Sequence, residues 1–62
     1  EAGDYHLELR TRLAIGRSEI IEGFTAAGQR RLVELAAEAE ANGYVLLARI
    51  ARNLAERAAA RR

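Results

Sequence analysis

The sequence predicts a mainly α-helical fold: a short N-terminal amphipathic strand, then two or three helices ending in an antiparallel helical hairpin. Three observations lead there. Between residues 29 and 62, apolar side chains recur at helical spacing in two windows separated by Asn42-Gly43. The chain has no proline, so its glycines are the main breakers. Residues 7 to 15 instead alternate between apolar and polar, the pattern of a half-buried strand.

The strand arm is expected over residues 5–16. Leu7, Leu9, Thr11, Leu13 and Ile15 occupy the odd positions, and Glu8, Arg10 and Arg12 fall between them. The competing reading is a helix capped by Asp4, in which Tyr5, Leu9 and Leu13 align at steps of four and Gly16 ends the run. Five matches to period two against three to period four favour the strand. A helix over 18–27 follows. Ser18 supplies its N-cap, and Glu19 and Glu22 stand in a first turn that favours negative charge. Ile21, Gly28 and Leu35 fall on one heptad line, which argues for a helix that continues to Ala41. Interior glycines, however, cost about 1 kcal/mol each relative to alanine, which favours a break near Gly28.

The hairpin comprises helices over 29–42 and 44–61. In the first, Leu32, Leu35, Ala36 and Ala39 stand at i, i+3, i+4 and i+7, with Glu34 and Glu38 to the other side. In the second, Leu47, Ile50, Ala51, Leu54, Ala55 and Ala58 form an apolar stripe opposite Arg49, Arg52, Asn53 and Glu56. Gly43 falls where the first helix needs a left-handed residue, a conformation that only a residue without Cβ adopts freely. So short a connection makes the helices antiparallel neighbours and brings Glu38 and Glu40 toward Arg49.

Composition bounds what such a chain can do. Sixty-two residues make a single small domain, 1–62, and chains of this size bury only about 60% of the surface that the unfolded form exposes. Fourteen of the thirty-one hydrophobic residues are alanine, so seventeen larger side chains must make the core. Small domains of this kind usually add disulfides, a metal or self-association. With no cysteine and one histidine, the first two devices are missing. The expectation is a homo-oligomer, or docking on a larger partner protein. The interface residues would be Leu7, Leu9, Leu13, Leu32, Leu35, Tyr44, Leu47, Ile50 and Leu54, whose apolar surface exceeds what one hairpin partner covers.

Charge is nearly balanced at +1, although residues 1–28 carry net −2 and residues 29–62 net +3. Arg57, Arg61 and Arg62 at the end of a helix are what the macrodipole favours. The longest apolar run, Tyr44 to Ala48, falls well short of the roughly 20 residues that span a bilayer. The opening Glu-Ala-Gly-Asp lacks the pattern of a secretory leader, which leaves a cytoplasmic location as the default expectation.

Chemistry-bearing residues are sparse. His6 has no serine or cysteine nucleophile beside it in sequence. Glu19/Glu22 and Glu34/Glu38 lack the Glu-x-x-His spacing of helical di-metal sites. Gly23 to Gly28 resembles a phosphate loop only in its glycines, since no Lys-Ser or Lys-Thr follows. Gly16-Arg17-Ser18 could offer free amides to an anion, as many helix starts could. No enzyme, cofactor, metal or small-molecule substrate is expected.

Strand followed by two helices is also the order of the ribbon-helix-helix proteins, and Gly16-Arg-Ser-Glu-Ile-Ile21 resembles the start of that family's second helix. The resemblance implies a small dimeric DNA-binding protein whose ribbon enters the major groove of duplex DNA, with Arg10 and Arg12 facing the bases. Here the segment follows the strand directly, where that family has a first helix, and the turn at Gly43-Tyr44-Val45 lacks the family's usual serine. A helix-turn-helix is excluded by Arg49, which occupies the place of a buried aliphatic. The leading expectation is a non-catalytic oligomerisation or protein–protein interaction module.

Overall fold

A computed structural model describes the backbone of residues 2–60 and the side chains of residues 4–60. The described residues form three helices and no strand: α1 (Ala2–Ile21), α2 (Thr25–Ala41) and α3 (Val45–Ala60). Arg61 and Arg62 lie outside the described residues.

The N-terminal strand expected over 5–16 is corrected to helix, and the reason lies in where its apolar side chains point. Leu9 and Gly16 are buried, and Tyr5, Leu13 and Ile20 are half-buried, so the inward face steps by three and four residues. Leu7 and Ile15 face outward and remain 63% and 42% exposed. The apparent alternation thus mixed residues from different sides of one helix. Ser18 is an exposed interior position of α1, not the N-cap of a new helix.

The first break is at Gly23, five residues before the expected one at Gly28, and it is built like the second. Gly23 has φ +100° and Gly43 φ +88°. The N–H of Phe24 donates to the Glu19 carbonyl at 2.8 Å, and the N–H of Tyr44 donates to that of Ala39 at 2.8 Å. Gly23 and Gly43 themselves donate to the carbonyls of Ile20 and Glu40, at 3.2 and 3.1 Å. These paired bonds define the Schellman motif, which satisfies the last carbonyls of a helix through one left-handed residue. At the second turn the Asn42 side-chain amide also donates to the Glu38 carbonyl at 2.8 Å. The expected hairpin turn at Asn42-Gly43 is present.

Gly28 has a different duty. It lies buried in the first turn of α2, where α1 crosses so closely that a Cβ there would come within 2.6 Å of the Gly16 carbonyl oxygen. A Cβ on Gly16 would meet the Leu32 side chain at 2.9 Å. The two glycines let the backbones of α1 and α2 touch.

α2 and α3 approach by another device. Every buried residue of α3 is alanine: Ala48, Ala51, Ala55 and Ala58. The buried face of α2 presents Leu32, Leu35, Ala36 and Ala39 beside Gly28. The larger apolar residues of α3 flank this methyl seam: Leu47 and Leu54 are half-buried, and Ile50 is 42% exposed. Among the described residues, only Leu9, Leu32 and Leu35 are both large and fully buried.

α2 is therefore central, packing against both neighbours, while α1 and α3 run parallel and barely meet. Residues of α2 that engage α1 (Gly28, Arg31, Glu38) and the residue that pairs with α3 (Glu40) lie on different sides of its axis at 100° per residue. The cross-section of 17 by 13 Å fits three corners of a square better than a closed triangle. The fourth corner, between α1 and α3, is open.

Candidate functional site

The polar side chains that sequence reasoning left to solvent instead fix α1 on α2. Glu38 accepts from the Tyr5 hydroxyl at 2.9 Å with one carboxylate oxygen and from Arg12 Nη1 at 2.9 Å with the other. At the far end, Glu19 takes two bonds from Arg31, Nε to Oε1 at 2.9 Å and Nη2 to Oε2 at 3.1 Å. The Tyr5 bond and then the Arg12 guanidinium hold the Glu38 carboxyl below the usual carboxylate range. Arg31 does the same to Glu19, and its own pKa is raised in return. Partial desolvation, and then the bond to Glu38, raises the Tyr5 phenol. Two ion pairs thus bracket the Gly16–Gly28 crossing and fix the rotation of α1. Of the expected approach of Glu38 and Glu40 to Arg49, Glu40 does share a hollow with Arg49 but pairs with Arg52 at 3.0 Å, and Glu38 turns toward α1 instead.

With α1 so oriented, its remaining apolar face meets that of α3 across the open corner. At one end the groove is lined by His6, Arg10 and Leu13 of α1 and by Leu46, Leu47 and Ile50 of α3. At the other, Ile20 and Ile21 face Leu54, with Arg17 and Arg57 at the edges. The two hollows are about 600 and 400 Å³. Tyr44 closes the first end: its ring lies 5.6 Å from that of His6, stacked at 15°, and 5.6 Å from that of Tyr5 at 59°.

The expected interface residues therefore divide in three. Leu9, Leu32 and Leu35 are enclosed within the chain's own core. Leu13, Tyr44, Leu47, Ile50 and Leu54 line the groove, and Leu7 lies exposed outside it. Sequence reasoning missed Ile20 and Ile21, which become visible once residues 5–21 are drawn as one helix, and Leu46 of α3, which stands beside the apolar stripe that begins at Leu47. The two arginines assigned to DNA also separate. Arg10 stands at the groove, whereas Arg12 is committed to Glu38, and the ribbon that would have presented both is helical.

No protein-family model, curated protein or solved structure matches the chain. The site must be read from its own residues. Among the described residues, no cluster of histidine and carboxylates could hold a metal ion. His6 is stacked on Tyr44, Ser18 is exposed on α1, and Glu19 is committed to Arg31. Among the described residues, no helix is long and apolar enough to cross a membrane. What the arrangement offers is an elongated apolar concavity between two parallel helices.

Proposed function

We propose that the chain is a non-catalytic association module whose working surface is the groove between α1 and α3. One observation carries this reading: three helices occupy three corners of a four-helix arrangement, and the vacant corner is lined by Leu13, Leu47, Ile50 and Leu54. Bundles of this kind bury such faces against another helix. Three fully buried leucines make a slight core for 62 residues, and further burial adds roughly 25 cal/mol for each Å² of apolar surface removed from water. The covering helix belongs to a second copy or to a partner protein.

The test is mass in solution across micromolar concentrations, alone and with amphipathic helical peptides, for the wild type and Ile50→Asp. Ile50 is partly exposed, so its replacement should leave the three helices intact by far-UV circular dichroism while abolishing association. A chain that stays monomeric and binds no amphipathic helix would refute the proposal.

A further inference from the structure

The groove has an asymmetric rim. Among the described residues its charged side chains are Arg10, Arg17 and Arg57, and no carboxylate lines either hollow. None of the three belongs to an ion pair among the described residues, whereas Arg12, Arg31 and Arg52 each do. Sequence gives the same result independently. No acid stands three or four residues from Arg10, Arg17 or Arg57, so each lacks the helical neighbour that could neutralise it. All three are exposed and hold positive charge along the walls of an apolar channel. The groove runs from His6 to Ile21, which at 1.5 Å per residue is about 22 Å, or four turns of a docked helix.

We infer that the groove receives an acidic amphipathic helix from a partner protein, its apolar stripe on Leu13, Leu47, Ile50 and Leu54 and its flanking carboxylates on Arg10, Arg17 and Arg57. This rests on the association reading above and specifies the occupant. A second copy docking groove to groove would bring two sets of three arginines face to face, because a two-fold interface sets the same patch against itself. That arrangement adds like-charge repulsion to the desolvation of each guanidinium. Duplex DNA would find the cations but would also have to cover the aliphatic side chains between them, which offer nothing to a phosphate backbone. An apolar stripe edged with glutamate satisfies both features.

The experiment uses the full chain and two synthetic helical peptides of about sixteen residues. Both carry the same Leu/Ile stripe, one flanked by glutamate and the other by lysine, and binding is followed by fluorescence anisotropy at low and high salt. Exposed ion pairs contribute up to about fivefold each, so three should favour the glutamate peptide by about tenfold or more. That preference should shrink with salt. Arg10→Glu/Arg17→Glu/Arg57→Glu changes only exposed residues and should invert the preference while leaving the circular dichroism spectrum unchanged. If that variant loses helicity, the salt dependence of the wild type still decides. Equal affinity for the two peptides, or a preference indifferent to salt, would overturn the inference while leaving the association reading standing. So would self-association that Ile50→Asp abolishes, or displacement of the glutamate peptide by duplex DNA. Failure to bind either peptide in a strictly monomeric chain would overturn both.

Discussion

Replacing Gly28 with alanine sets helix propensity against packing, and the structure decides the sign. By propensity alone the substitution stabilises α2 by about 1 kcal/mol. The new methyl, however, would lie 2.6 Å from the Gly16 carbonyl oxygen, 2.8 Å from Ile20 Cγ1 and 3.2 Å from Glu19 Cβ. Even close C–H···O contacts keep carbon and oxygen about 3.3 Å apart, so the two backbones must separate by about 0.7 Å. A gap of that size forfeits roughly a quarter to a half of the dispersion energy across a packed interface. Overpacking typically costs about 1–3 kcal/mol. Here the upper end applies, since the obstruction is backbone and cannot rotate away.

The net expectation is destabilisation by about 2 kcal/mol, obtained by setting overpacking against propensity. A domain of this size holds about 3–9 kcal/mol in all, so the loss is a large fraction. Each kcal/mol moves the Tm of a small domain by about 4–8 °C, which places Gly28→Ala about 10 °C below wild type in a thermal melt followed by circular dichroism. Gly16→Ala should cost less, because the atoms it meets belong to the Leu32 side chain. Ala27→Gly, exposed one residue away, serves as the propensity control and should lose no more than about 1 kcal/mol. A Gly28→Ala protein that melts at or above wild type would refute the close-crossing argument.

Gly23→Ala and Gly43→Ala should each destabilise by about 1–2 kcal/mol in urea titration, since no atom obstructs either Cβ and the cost is wholly that of a left-handed backbone. Asparagine at either position should lose less than alanine. The pH profile should show an acid limb. Glu19 and Glu38 ionise below the usual carboxylate range when folded, so their contribution is complete above the unfolded value of about 4.3 and is lost as pH falls through the lower folded values. Glu19→Gln/Glu38→Gln should flatten that limb in acid titrations monitored by circular dichroism. Arg52→Ala should change stability by no more than about 1 kcal/mol in the same urea assay, because its pair with Glu40 is exposed.

The hairpin was legible because its signals agreed: helical spacing on both sides of Gly43, and a turn that only glycine makes cheaply. α1 was not. Leu7 and Ile15 point outward, and their presence among the odd-numbered residues outweighed the inward set of Tyr5, Leu9, Leu13, Gly16 and Ile20. The decisive signal was available elsewhere. Gly23-Phe24 repeats Gly43-Tyr44 at a distance of twenty residues, so the reasoning that ended one helix at Gly43 ends another at Gly23. Gly28 was misread because a glycine demanded by a neighbouring helix is indistinguishable in sequence from one demanded by a turn. The groove depended on the same correction. In sequence Leu13, Leu47, Ile50 and Leu54 are only apolar surplus, and their convergence on one channel follows from the rotation of α1, which Glu19–Arg31 and Glu38–Arg12 help to hold.

The methyl seam of α3 also governs how the molecule answers to temperature. Unfolding raises heat capacity in proportion to the apolar surface it exposes, ordinarily about 12–15 cal/mol/K per residue. A helix that buries four alanines gives up little such surface on melting. The chain should therefore fall below that range in calorimetry, with a shallow stability curve, a weak approach to cold denaturation and a broad heat transition. A docked fourth helix would cover the groove leucines, steepening the curve as well as raising it. Heat capacity would then report occupancy of the vacant corner without any label.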